Sequence, residues 1–112
     1  VTTRRGEVWL VDFGEPVGRE QSGRRPAVIM SADALNVSRA GVVIVVPTTT
    51  THRGLPSHVE IEPGVSGLDQ VSYAKCEDVK SISEQRLITR LGTVTDIILF
   101  TISRILRFLL DI

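Results

Sequence analysis

Gly41-Val42-Val43-Ile44-Val45-Val46-Pro47-Thr48-Thr49-Thr50 is the most β-prone run in the chain. β-Branched side chains lose χ1 freedom in a helix but suit a pleated, half-buried surface, so this run reads as the central strand. Upstream, Glu7 to Phe13 (EVWLVDF) reads as a first strand and Pro26 to Ser31 (PAVIMS) as a short buried one. Between them lies a glycine-rich, charged loop, residues 14 to 25. Ser31 or Asp33 can cap one helical turn ending near Asn36.

Downstream, residues 50 to 56 (TTHRGLP) form a second polar loop. Ser57 to Ile61 alternates as a strand, Pro63 to Gly67 turns, and Leu68 to Lys75 and Asp78 to Ile82 read as further strands. Ser83 to Leu87 reads as a helical turn, and Leu87 to Val94 as a short strand broken by Gly92. Thr95 can cap a last helix, with Asp96 favourably placed in its first turn. Ile98, Ile102, Ile105, Leu106 and Leu109 mark one face of that helix, while Ile97, Phe100, Phe108 and Ile112 spill onto the far side. A helix apolar on more than one face calls for cover on more than one side, and a second copy of the chain is a natural source. The expected fold is mainly β with a C-terminal α-helix: a small, strongly bent antiparallel sheet or partial barrel.

With 112 residues, the chain is read as one domain, residues 1 to 112. Hydrophobic residues make up 42% but aromatics only 4%, so Val, Ile and Leu must fill the core. The formal net charge is zero, which argues against coating nucleic acid by bulk charge and leaves room for a local basic groove. The single cysteine, Cys76, excludes a disulfide within the chain, and one Cys with two distant His builds no zinc site. The N-terminal VTTRRGEVW has no apolar signal-peptide stretch, and Ile97 to Ile112 is too short and too charged to span a bilayer. A cytoplasmic protein without a metal or other cofactor is expected.

Arg5-Gly6-Glu7-Val8-Trp9 and Val11-Asp12 are followed by Gly18, Glu20-Gln21, Gly23 and Arg25-Pro26-Ala27-Val28-Ile29. Val45-Val46-Pro47-Thr48-Thr49 comes next, then Cys76-Glu77-Asp78-Val79-Lys80-Ser81-Ile82 and the closing helix. This ordered set of blocks resembles the MazF/PemK/Kid family of toxins over essentially the whole chain. The resemblance implies an SH3-like or plasmid-toxin barrel of the CcdB/Kid type, a homodimer, and sequence-specific, metal-independent cleavage of single-stranded RNA. It also implies a small antitoxin, similar to MazE, whose tail fills the RNA groove.

RNA carries its own nucleophile, the 2′-hydroxyl. A protein cutting it must polarise the phosphate and manage two protons. Arg25 offers a guanidinium fork suited to phosphate, at a junction stiffened by Pro26. Thr48 offers a hydroxyl at the end of the central strand, and the family match selects it over Thr49, Thr50 and Thr51. Glu20 is the third candidate; beside a cation its pKa would fall, so orienting Arg25 suits it better than taking a proton. The bland reading of all three is a surface arginine, a β-forming threonine and a solvated loop glutamate.

Arg19, Gln21, Ser22, Arg24, Thr49, His52 and Arg53 are candidate RNA contacts from the two loops and the strand end. Lys75, Glu77 and Asp78 form a charged cluster around Cys76. In one branch of the family an Arg and an Asp act there; Lys75 is a point charge, so reading bases or shaping the groove suits this block better than catalysis. His52 and His58 raise the option of a histidine pair, but no lysine beside either completes an acid–base set. Stacking is expected to rely on arginine planes, because Trp9, Phe13 and Tyr73 are the only aromatics outside the helix. Two rivals are a gyrase poison similar to CcdB, which would want a Trp-Gly-Ile-like C-terminus where this chain has Leu109-Leu110-Asp111-Ile112, and a non-catalytic SH3-like binding module.

Overall fold

The computed structural model describes residues 2–15, 18 and 23–112. Among the described residues, seven strands and two α-helices follow in the order β1 (Glu7–Asp12), β2 (Arg24–Ile29), α1 (Asp33–Asn36), β3 (Val42–Thr49), β4 (His58–Ile61), β5 (Ser72–Lys75), β6 (Lys80–Ser83), β7 (Leu87–Thr93) and α2 (Asp96–Leu110). Neighbouring strands are antiparallel in the order β4-β5-β3-β2-β1-β7, and β6 also pairs with β3. The sheet is therefore bent but not closed. The central position expected for Gly41–Thr50 is where β3 lies: it pairs with β2, β5 and β6.

β3 changes partner along its length. Val42–Val45 face β6, Val45–Pro47 face β2, and Thr48 and Thr49 face Ala74 and Tyr73 of β5. The β1–β7 ladder slips twice: Val8 pairs with Gly92 but Trp9 with Arg90, and Leu10 with Thr89 but Val11 with Leu87. The extra residues Leu91 and Ile88 are bulges, which bend and twist a strand. So the strand expected to break at Gly92 runs through it instead. Gly92 is needed for a close approach: a Cβ there would stand 2.2 Å from the Val65 carbonyl oxygen.

Alternation along the strands sorts the core into two clusters. Val8, Val28, Val46, Val59, Ala74 and Ile102 belong to the cluster beneath α2. Trp9, Val11, Ala27, Ile29, Val43, Val45 and Ile82 form the other, on the opposite face of the central strands. Thr95 caps α2 by accepting from the Ile98 N–H at 3.3 Å, as its place in the sequence suggests. Of the apolar stripe, Ile102 is fully buried, while Ile97, Phe100, Phe108 and Ile112 remain exposed.

The Arg5-Gly6-Glu7 opening of the chain has a structural purpose. Glu7 accepts from the Arg4 backbone N–H at 2.8 Å, the Trp9 indole at 3.1 Å and the Arg90 Nε at 2.8 Å. The Arg5 guanidinium donates to the Met30 carbonyl and, at 2.7 Å, to Ser103 on α2. Gly6 holds φ +90 with Leu99 beneath it, so Arg5 and Gly6 tie the start of β1 to the helix while Glu7 ties it to β7.

Three expectations need correction. Neither Ser31 nor Asp33 caps α1; the cap is Ala32, with no side-chain bond. Ser31 is drawn inward, where its hydroxyl donates to the Asn36 amide oxygen and accepts from the Ile44 N–H. The strand expected from Leu68 forms only over Ser72–Lys75, and Cys76–Asp78 is a 3-10 turn, so the next strand begins at Lys80. The helical turn expected from Ser83 to Leu87, by contrast, is there: Glu84–Arg86 is a 3-10 turn capped by Ser83.

Candidate nucleic-acid interface

Arg25 is the second residue of β2 and is exposed. It pairs with Val11 and shares the side of Ala27 and Ile29 by alternation. Its face is thus that of the cluster around Trp9, continued past the sheet's covered part. Ala27 pairs with Pro47, so the same register carried two residues further sets Arg25 opposite Thr49. Thr49 pairs with Tyr73, and Tyr73 with Glu60. One row across three strands therefore carries an arginine, a threonine and an aromatic ring on one face.

Thr48 takes the other direction. It is 2% exposed, lies on the side of Val46 and Ala74, and donates its hydroxyl to the Pro26 carbonyl at 2.9 Å. The sequence brings Thr48 next to the peptide that follows Arg25, but by alternation the two side chains leave their strands on opposite faces. Arg24, also exposed, pairs with Asp12 across β1. The expected candidates Arg19, Glu20, Gln21 and Ser22 lie outside the described residues.

His52 and Arg53 are exposed on the 50–57 loop. His52 stacks on Tyr73 with ring centroids 5.0 Å apart and an interplanar angle of 16°. Sequence reasoning left Tyr73 out of the candidate site, because a strand residue and a loop residue 21 positions apart carry no shared local signal. Thr49 accepts from the Thr51 N–H at 3.2 Å, which tightens the start of the same loop.

The charged block around Cys76 is largely partnered within the protein. Lys75 and Asp78 form an ion pair at 3.0 Å with both side chains less than a fifth exposed. Glu77 accepts from Ser57 at 2.8 Å and meets the His58 Nε2 at 2.9 Å. Partial burial alone would raise the Glu77 carboxyl; the hydrogen bonds from Ser57 and His58 outweigh it and hold it below the usual carboxylate range. His58 is 3% exposed in its side chain, and its Nδ1 has no hydrogen-bond partner among the described residues. If Nε2 donates to Glu77, Nδ1 of the neutral ring carries only a lone pair. The two histidines thus sit in separate surroundings, one in an exposed stack and one in a buried pair. Cys76 is a core residue, its thiol pushed up to about 12 by burial and then by the Glu77 charge.

An exposed arginine and an aromatic stack on an open sheet face, beside polar loops, make a surface suited to a single-stranded polyanion rather than a deep small-molecule site. The whole chain fits one family. It belongs to the PemK-like, MazF-like toxins of type II toxin–antitoxin systems, whose family model matches residues 4–110. Among its relatives, the probable endoribonuclease MazF5 of Mycobacterium tuberculosis is 38% identical over 107 residues, covering 96% of this chain and 92% of that protein. The crystal structure of MazF from Deinococcus radiodurans superposes with a TM-score of 0.86 at 26% identity, covering 100% and 99% of the two chains. A mycobacterial endoribonuclease, solved in complex with its cognate antitoxin, gives 0.81 at 27% identity, with 98% and 96% covered. The expected fold class, mainly β with a terminal helix, is thus the family's own. Among the described residues, no helix is long and apolar enough to cross a membrane.

Proposed function

We propose that this chain is the toxin of a toxin–antitoxin pair and acts as an endoribonuclease on single-stranded RNA. The observation that carries the reading is the match of residues 4–110 to the PemK/MazF toxins, together with relatives named endoribonucleases. The cut proceeds by attack of the 2′-hydroxyl on the adjacent phosphate, with departure of the 5′-oxygen. It leaves a 2′,3′-cyclic phosphate or, after hydrolysis, a 3′-phosphate.

Arg25 stabilises charge on the phosphate through its fork of donors. Thr48, the second candidate, leaves its strand on the other face from Arg25: at rest its hydroxyl donates to the Pro26 carbonyl, and it takes part only by exchanging that partner for the reacting group on RNA binding. Glu20 orients Arg25. Arg19, Gln21, Ser22, Arg24, Thr49, His52 and Arg53 supply contacts to phosphates and base edges. Lys75, Glu77 and Asp78 shape the groove through their internal pairs.

The partners of the reading are a second copy and an antitoxin. Ile97, Phe100, Phe108, Leu110 and Ile112 are each more than half exposed, which is more apolar surface than a short monomeric chain ordinarily leaves on one helix. A groove of about 590 Å³ is lined by Phe100, Ile105, Phe108 and Leu109 on the helix and by Leu55–Pro56 on the loop. We assign this surface to a homodimer. The antitoxin's tail occupies the RNA groove, and the toxin works in the cytoplasm as one domain spanning residues 1 to 112. Purified protein mixed with a long unstructured RNA in EDTA tests the activity. Discrete fragments with the stated ends support it; an intact RNA rejects it.

A further inference from the structure

We infer that the His52–Tyr73 stack is a platform for one RNA base, and that it sets base preference at a position beside the cut. The inference rests on the endoribonuclease reading above.

Three observations carry it. The rings lie nearly parallel at 5.0 Å, so one face of each is covered by the other. His52 is exposed on the 50–57 loop, so its imidazole is open to a base from solvent. Tyr73 pairs with Thr49, in the row that the β2–β3 register carries on to Arg25. Two strand spacings of about 4.8 Å separate β2 from β5, so a base on the stack adjoins a phosphate held by Arg25.

An aromatic plane offered to solvent is what a splayed, unstacked base binds, because every base has a π-face. The stack also fixes the His52 ring before RNA arrives, which lowers the ordering cost of binding. Arg53, exposed beside His52, is free to hold the phosphate that follows the stacked base. Stacking discriminates by overlap, so the double ring of a purine is favoured over a pyrimidine. The alternative is that the stack only pins the 50–57 loop to β5.

The test compares wild type with His52→Ala and His52→Phe as full-length proteins, each checked for folding by circular dichroism. Two quantities are read: affinity for a single-stranded RNA whose 2′-OH at the cut is replaced by H, and the cut-site map across one long RNA. His52→Ala is expected to weaken binding by roughly 5- to 100-fold. It should also flatten the purine preference at one position beside the cut. His52→Phe, which keeps a ring plane, should restore both. If folded His52→Ala keeps affinity and map within about twofold of wild type, the platform is rejected and the stack merely holds the loop. The platform is also rejected if His52→Phe is as impaired as His52→Ala, because the imidazole's polar atoms then matter and not its plane. A wild type that neither binds nor cuts RNA rejects the endoribonuclease reading and the platform with it. A cutting wild type with an unaltered His52→Ala removes the platform alone.

Discussion

Thr48→Val isolates what one hydroxyl does at the junction of β2, β3 and β5. The side chain is 2% exposed and its hydroxyl donates to the Pro26 carbonyl at 2.9 Å. Valine keeps the shape and removes the donor. Leaving this part-buried acceptor short of a partner costs about 1–3 kcal/mol. The extra buried methyl returns about 0.8 kcal/mol. The net loss is about 1 kcal/mol, which lowers Tm by about 4 °C in a chain of this size. Thr48→Ser restores the donor at the price of a methyl group and should regain most of the hydrogen bond. Cleavage separates the two roles of the hydroxyl. Below its melting range, the valine protein should cut a defined RNA about 100-fold more slowly, the size of effect seen when one donor to a reacting oxygen is removed. The serine protein should stay within about tenfold of wild type. Urea melts and single-turnover rates on the same samples provide the comparison. A folded Thr48→Val protein cutting at the wild-type rate would refute the use of this hydroxyl in the reaction and leave it a purely structural role.

Gly92→Ala should be among the most damaging small substitutions, because the new Cβ meets the Val65 and Ser66 backbone rather than a movable side chain. A loss of about 3 kcal/mol is expected in a chemical melt; a loss below 1 kcal/mol would mean that the 65–67 turn moves easily. Glu77 has a lowered folded pKa, so its contribution to stability is present above the ordinary carboxylate value and is lost as pH falls through the folded one. Glu77→Gln should therefore be less stable than wild type at pH 7, with the gap narrowing below pH 4.5 in acid-denaturation curves. Cys76, buried with its thiol pushed up to about 12, should resist alkylation at pH 8 in native protein and react readily in urea. Rapid native labelling would contradict the burial.

Much of the fold was legible because its signals are local. The valine run of β3, the loop residues 50–56, and the Thr95 cap with the apolar stripe of α2 each announce themselves within a few residues. The boundaries around Leu68–Ile82 were not legible. Val79 and Cys76 look strand-like, yet a 3-10 turn there lets Cys76 enter the core and brings Glu77 to Ser57 and His58. The bulges at Leu91 and Ile88 are set by pairing with β1 and have no sequence mark of their own. For the site, Arg25-Pro26 and Thr48 stood out as motif residues, but the face each side chain takes depends on register. Register put Thr49, not Thr48, on the side of Arg25, and it brought Tyr73 under His52. Scarce aromatics suggested that stacking would fall to arginines; a histidine supplied the second ring.

The claim at the centre is that RNA supplies its own nucleophile on a face that Arg25 dominates. The most direct test cuts two matched single-stranded RNAs in EDTA, one natural and one with H in place of the 2′-OH at the mapped cut site. The natural strand should be cleaved to a cyclic phosphate and the substituted strand should survive intact. Equal cleavage of both strands would contradict the account.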